Sequence, residues 1–188
     1  GGDLAQGARA LARLAPMLGR GGRRRLRLPG SDEPTLLIDD SYNASPASMR
    51  AAFAVLGQAE TGALGRRIAV VGDMLELGPR AGSFHAELAA DLAASGVDAV
   101  YACGPHMRAL YEALPRELRS AHAEDSATLA GLVADAVRPG DVVLVKGSLG
   151  MRMATIVKRL EALDRTPAGN GEDGPGHTVS KVRTAGER

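Results

Sequence analysis

The sequence predicts an α/β protein built on a mostly parallel, doubly wound sheet with helices on both faces. Three observations carry this. Short β-branched apolar runs recur along the chain, each bounded by turn residues and each followed by a segment of helical periodicity. The runs "TLLI", "IAVV", "AVYAC" and "VVLV" are continuously apolar rather than alternating, as strands buried on both faces are. Hydrophobic residues make up 45% of the chain but aromatics only 3%, with no Trp, so the core is built from Ala, Val, Leu and Ile. Helices alternating with such strands give a Rossmann-like arrangement of four or five βα units.

In chain order, residues 3–15 place Leu4, Ala8, Leu11 and Ala15 on one helical face, with Asp3 as N-cap and Pro16 closing the helix. Gly19 to Gly30 holds four glycines and five arginines and reads as a linker or hinge, with room for a short strand at "RLRL", residues 25–28. A strand at 35–38 leads to a helix over 46–57, and a strand at 68–71 to a helix over 80–95. A strand at 99–103 leads to a helix over 105–114, followed by a weaker strand near 119–123 and a helix over 126–137 capped by Asp125 or Ser126. The last pair is a strand at 142–145 and a helix over 148–163. From residue 165 the chain is rich in Gly, Pro and charge without apolar periodicity, and a disordered tail to residue 188 is expected.

The net charge of +1, from 23 basic and 22 acidic residues, supplies no global field for nucleic acid or an anionic membrane. The basic run Arg23, Arg24, Arg25 has no interleaved aromatics for stacking on bases and reads as a solvated or inter-domain surface. Cys103 is the one cysteine, which excludes an internal disulfide and fits a reducing compartment. It lies in an apolar strand and reads as a core residue. No leader-like or membrane-spanning stretch is evident, so a cytoplasmic protein is expected; a monomer is the expected state.

In an open parallel sheet, ligands bind beyond the carboxyl ends of the strands, where connecting loops and helix N-termini converge. Three such loops carry chemistry. "LIDDSYNASPASM" ends a strand with Asp39 and Asp40 and starts a helix with Ser45 as cap and Pro46 in the first turn. Capping leaves Asp40, Tyr42 and Asn43 unexplained, and adjacent carboxylates are tolerable if one meets water and the other a hydroxyl, an amide or a cation. "VVGDMLELGPR" places Asp73 and Glu76 around an apolar pair, with His85 on the following helix, where a structural role is the commoner one. "LVKGSLGMRM" delivers Lys146 and Ser148 to what reads as a helix N-terminus, a reasonable place for a carboxylate or phosphate; a surface Lys with a capping Ser explains them equally.

Several chemistries are excluded. The sequence holds no G-x-x-x-x-G-K-[ST] loop, no G-x-G-x-x-G after a strand, no zinc-type Cys and His spacing and no G-x-S-x-G elbow. Nucleotide hydrolysis or hydride transfer by these residues alone is not expected.

Taken together, Gly19-Arg20-Gly21, "DDSYNASPASM", "GDMLELG" with His85 downstream, and "VKGS" resemble the carboxyl-terminal domain of the Mur ligases over about residues 3–163. The first and second loop motifs are similar to the branch that joins D-alanyl-D-alanine to UDP-N-acetylmuramoyl-tripeptide in peptidoglycan synthesis. The resemblance implies a three-domain enzyme in which ATP phosphorylates a substrate carboxylate and an amine then attacks the acyl phosphate. The P-loop and the Mg2+ ligands would lie in a central ATPase domain, of which residues 1–20 would be the last helix and hinge, and residues 21–164 would form the carboxyl-terminal domain. On its own such a domain would be inactive.

By motif, Arg20 and Asp40 look like the residues that reach the ATP ribose when the domains close, with Tyr42 and Asn43 in the same loop. Lys146 and Ser148 resemble the loop that holds the incoming dipeptide, and Asp73, Glu76 and His85 are grouped with them, Asp73 and Glu76 orienting its ammonium. No metal ligand is assigned. Two departures stand out: Ser45 replaces the commoner Asn, and Leu149 follows Ser148 where an Arg is common, leaving Arg152 as the nearest basic residue downstream. The other reading of the same residues is a stand-alone Rossmann-like module that binds a small anionic ligand without catalysis.

Overall fold

A computed structural model of the protein describes residues 18–165. The expected helix over 3–15 and all but the first residue of the expected tail lie outside the described residues. Within them, six strands form one sheet in the order β1-β2-β6-β3-β4-β5. These are β1 (Gly22–Leu26), β2 (Thr35–Asp40), β3 (Arg67–Gly72), β4 (Ala99–Cys103), β5 (Arg119–Ala123) and β6 (Val142–Lys146). Strands β2 to β6 run parallel and β1 alone is antiparallel, at the edge beside β2.

The α/β, Rossmann-like class expected from the sequence is the one observed, and strand periodicity explains it. Successive residues of β6 split between the two cores, Val142 and Leu144 to one face and Val143 and Val145 to the other. Helices α1 (Pro46–Gly57), α2 (Ala81–Ala94) and α3 (Met107–Ala113) cover the first face with Phe53, Leu56, Leu88, Leu92, Met107 and Leu110. Helices α4 (Ser126–Ala136) and α5 (Ala154–Glu161) cover the second with Leu129, Val133, Ile156 and Leu160. Each face therefore removes its own apolar stripe from water, which is the main stabilising contribution.

Two local expectations change and one open alternative is resolved. The hinge strand lies at 22–26 rather than 25–28, because Leu26 and Leu28 drop into the core and set the register. The capping choice at α4 falls on Asp125, which accepts from the amide of Thr128 at 2.9 Å; that bond holds its carboxyl below the usual range. The long helix expected over 148–163 is broken: a 3-10 turn spans Leu149–Met151, Arg152 adopts a left-handed conformation with φ 53°, and α5 begins only at Ala154. At the amino end of the sheet, Asp141 is fully buried and accepts from Arg66 and from the amide of Arg138, tying β3 and β6 together far from the loops of interest.

No helix among the described residues is long and apolar enough to cross a membrane.

Candidate functional site

Three loops at the carboxyl ends of β2, β3 and β6 are joined into one unit, and the joints are side chains. Asp40 and Lys146 are register partners at the ends of β2 and β6. The Lys146 ammonium, 2% exposed, donates to Asp40 Oδ2 at 2.6 Å and to the Asn43 carbonyl at 2.8 Å. A buried cation is tolerable only when so paired, and this one fixes both the Asp40 rotamer and the path of the loop after it. Asp40 Oδ1 has no protein partner among the described residues, and the side chain remains 27% exposed.

The neighbouring carboxylate is settled separately. Asp39 Oδ1 accepts from the Ser41 hydroxyl at 2.6 Å and from the Ser41 amide at 3.2 Å. One acid thus meets a hydroxyl and an amide, while the other gives one oxygen to a cation and leaves the second open to water. Beyond them Asn43 Oδ1 accepts from the Ala44 amide, and Ser45 forms a reciprocal capping box with Ser48 at the start of α1.

The hinge is strapped to this loop. The Tyr42 amide donates to the Gly19 carbonyl at 3.0 Å, the Gly21 amide donates to the Asp39 carbonyl at 2.8 Å, and the Arg20 guanidinium lies 4.4 Å from the Tyr42 ring centroid. Gly19 has φ 76°, and a Cβ there would sit 3.0 Å from the backbone nitrogen of Tyr42, so only glycine permits this approach. Arg20, Asp40, Tyr42 and Asn43, grouped on sequence grounds, are therefore contiguous in space, and Arg20, Tyr42 and Asn43 are exposed.

The second group divides. Asp73 is buried, and its two oxygens accept from the amides of Met107 (2.7 Å) and His106 (3.1 Å), which caps α3. Gly104, with φ 110°, is required beside it, since a Cβ would lie 2.5 Å from Asp73 Cγ. His85 is fully buried: Nε2 accepts from the Met74 amide at 2.9 Å, which requires the proton on Nδ1, and Nδ1 donates to the Ala81 carbonyl at 2.6 Å. Burial lowers its pKa below the ordinary histidine value, so the ring is neutral near pH 7. Asp73, one of the two residues expected to orient an ammonium, and His85, grouped with them, thus have their oxygens and ring nitrogens engaged by backbone groups of this chain.

Ser148 likewise is not a helix cap. Its hydroxyl accepts from the Leu75 amide at 3.0 Å and its amide donates to the Asp73 carbonyl at 3.1 Å, so it staples the third loop to the second. With α5 starting at Ala154 and Lys146 paired to Asp40, the expected anion site of Lys146 and Ser148 at a helix N-terminus is not formed. Under the staple, Gly72 and Gly147 lie side by side with the Met153 thioether across them; a Cβ on Gly72 would meet its sulfur at 2.6 Å. Glu76 is the one member of the group that is exposed, in a left-handed conformation with φ 63°. Glu76 and Arg152, both exposed and both in left-handed conformations, lie on the loops after β3 and β6 that Ser148 joins. The sequence holds no local signal for either strain.

Two negative findings bound the chemistry. Burial pushes the Cys103 thiol up to about 12, which removes it as a nucleophile. Among the described residues no group of three His, Cys, Asp or Glu side chains is placed to hold a metal ion.

The sequence pattern of the Mur ligase, glutamate ligase domain, matches residues 24–149 of this chain. The UDP-N-acetylmuramoyl-tripeptide–D-alanyl-D-alanine ligase of Bacillus subtilis is 34% identical over 139 residues, which cover 72% of this chain and 30% of that protein. The enzyme of the same name from Escherichia coli is 35% identical over 130 residues, covering 69% of this chain and 27% of that protein. Among solved structures, the MurF ligase of Thermotoga maritima in complex with ADP superposes with a TM-score of 0.64 at 31% identity, over 81% of this chain and 33% of that one. A MurF from Acinetobacter baumannii superposes at 0.70 with 29% identity, over 86% of this chain and 34% of that one. The chain spans about a third of the length of the relatives it matches. The parallel sheet, the strand-end loops and this match over most of the described residues agree, and the chain belongs to the Mur ligase family through its glutamate ligase domain.

Proposed function

We propose that this chain is the carboxyl-terminal domain of an ATP-dependent ligase that adds D-alanyl-D-alanine to UDP-N-acetylmuramoyl-tripeptide in peptidoglycan synthesis. The observation that carries the reading is the Lys146–Asp40–Asn43 knot. It holds a carboxylate at the sheet edge with one oxygen engaged and the other free, beside a hinge strapped to the same loop. Relatives of this name match the chain over most of its length, and one solved relative holds ADP.

In the complete enzyme ATP activates a substrate carboxylate as its acyl phosphate, which the dipeptide amine attacks. The part played by these residues is positioning. Asp40 Oδ1 accepts from ribose hydroxyls, the oxygen left free by Lys146 serving a ligand that also binds elsewhere. Arg20, stacked on Tyr42, moves with the hinge and brings its charge to the nucleotide on closure, and Asn43 lies in the same loop. Glu76 orients the dipeptide ammonium, and Arg152 pairs with its carboxylate. Lys146, Ser148, Asp73 and His85 frame this site rather than touch the ligand. Mg2+ and the ATP phosphates are held by a central domain to which residues 1–20 connect, and the residues of this chain alone are inactive.

The test is a chimera in which this chain replaces the carboxyl-terminal third of the Bacillus subtilis ligase. Phosphate release that requires D-alanyl-D-alanine, and that falls at least a hundredfold with Asp40→Ala, is expected. A folded chimera without dipeptide-dependent release, or Asp40→Ala with full activity, overturns the proposal. The chain by itself, mixed with ATP, Mg2+, UDP-N-acetylmuramoyl-tripeptide and the dipeptide, is expected to release no phosphate above background.

A further inference from the structure

Three consecutive arginines on the edge strand β1 have different fates. Register sets Arg24 opposite Leu37, whose side chain enters the core under α5, and the Arg24 guanidinium pairs with Glu161 on that helix. Arg23 and Arg25 stand opposite Ile38 and Leu36, on the α1 side of the sheet. Both are exposed, and neither has an ion-pair or hydrogen-bond partner among the described residues for its side chain. Being two apart in a strand, they share a face about 7 Å from one another.

They form one wall of a groove. Helix α1 packs over β3 and β6 and leaves β1 uncovered as a shelf. Between shelf and helix run two cavities of about 340 and 480 Å3, which share Arg23 and Val55. The cavity over Ile38 and Leu144 is mainly apolar, the one over Leu36 is mainly polar with Gln58 and Glu60 in its lining, and Val55 on the helical wall is 41% exposed. Asp40 stands at one end and Glu60 at the other, so the positive potential is confined to the middle.

The strand forming this wall is also an open edge. At Arg27 the edge is closed by the chain itself: its amide donates to Asp164 Oδ1 and its carbonyl accepts from the Arg165 amide, both at 2.9 Å. Over 22–26 no described residue pairs with the outer side of β1.

We propose that the open edge of β1 is a docking site for an extended acidic segment of a partner protein, which adds to the sheet as a strand and turns one face to the Arg23 and Arg25 wall of the groove. Main-chain bonding to an open edge supplies affinity, and side chains at alternate positions supply specificity. Carboxylates two residues apart in the incoming strand fall on one face at the spacing of Arg23 and Arg25, where each makes a charge-assisted bond with a guanidinium. Asp40 and Glu60 disfavour further acids at the ends, so the preferred segment carries a short Glu-x-Glu pattern rather than a long acidic run. This inference is independent of the proposed ligase role.

The experiment is fluorescence anisotropy of the full chain with a labelled strand-forming peptide in a Thr and Val background, with Glu at two alternate positions. The control has the same composition with the two Glu adjacent, which puts them on opposite faces. Saturable binding of the alternate peptide is expected, weakened several-fold in the control and roughly tenfold or more by R23Q/R25Q. Arg24→Gln leaves it unchanged, and added salt weakens it. No saturable binding, equal affinity for the two peptides, or R23Q/R25Q binding as well as the parent chain overturns the proposal. Circular dichroism of R23Q/R25Q, whose two exposed side chains make no ion pair or hydrogen bond among the described residues, checks that the fold is kept.

Discussion

Asp40 and Lys146 are 106 residues apart in sequence and directly opposite one another in the parallel ladder, and their side chains meet at 2.6 Å at its carboxyl end. The two partners are not equally buried, the Lys146 side chain being 2% and the Asp40 side chain 27% exposed. Removing either charge should therefore have unequal consequences. Asp40→Asn leaves a buried ammonium without its counter-ion and is expected to cost about 3 to 5 kcal/mol of stability. Lys146→Met leaves a carboxylate that water can reach, and should cost less. The double variant should be more stable than Asp40→Asn alone, since no uncompensated buried charge remains. Urea unfolding of the three proteins measures this, and a Lys146→Met cost equal to or above that of Asp40→Asn would show that the buried cation does not dominate.

That relationship also marks the limit of what sequence reading reaches. The buried strands are legible because each is a short β-branched run with turn residues at both ends, and α1 is legible because Ser45 and Pro46 announce it. The site loops are legible as places, since polar residues gather at strand ends. What each polar group bonds to is not, because it depends on which strands become neighbours: Lys146 reads as a free cation until β6 is set beside β2. The break at Arg152 is hidden for a related reason. Nothing in "SLGMRMATIV" forbids a continuous helix, but Ser148 is already committed to the amide of Leu75, so the chain turns before α5 can start. Arg23 and Arg25 read as an ordinary solvated run because the sequence does not say that Arg24 alone faces α5.

His85 predicts a pH dependence of stability. The unfolded chain binds its proton with a pKa of about 6.5, whereas burial lowers the value in the folded state. The unfolded state then holds more protons between the two values, so stability falls as pH drops below about 6.5 and stops falling once the folded-state pKa is passed. The slope in that window is at most about 1.4 kcal/mol per pH unit for one group. His85→Gln keeps an acceptor for the Met74 amide but cannot take up a proton, so its unfolding midpoint should vary less over this range than that of the parent. An unchanged slope would assign the pH dependence elsewhere.

Asp73 separates a capping role from a ligand-binding one. Its oxygens serve the amides of His106 and Met107, and α3 has only seven residues to hold itself together. Asp73→Ala is expected to cost about 2 kcal/mol, at the upper end for a lost cap because the amides are left in a buried place. Hydrogen exchange at His106 and Met107 should accelerate together, ahead of the strand amides. Fast exchange confined to the 74–78 loop, with α3 unaffected, would be incompatible with the cap.

The glycine pair beneath the staple makes a sharper discrimination, because the two positions differ in what a methyl group would strike. On Gly72 all three nearest atoms belong to the Met153 side chain, at 2.6 to 3.2 Å, and a thioether with three rotatable bonds can move aside. On Gly147 the nearest is Met153 Cγ at 2.7 Å, but the next two are the Cα and nitrogen of Gly72 at 3.1 and 3.3 Å, which are backbone of the adjoining strand. Gly72→Ala should therefore be the milder change and Gly147→Ala should cost roughly 1 to 3 kcal/mol, as overpacking does. Shortening the thioether tests the cause. In a Met153→Ala background the penalty of Gly72→Ala should largely vanish, whereas that of Gly147→Ala should persist, since backbone cannot yield to it. Equal rescue of both would mean that the strand ends are looser than their spacing implies, and that Met153 alone sets their separation.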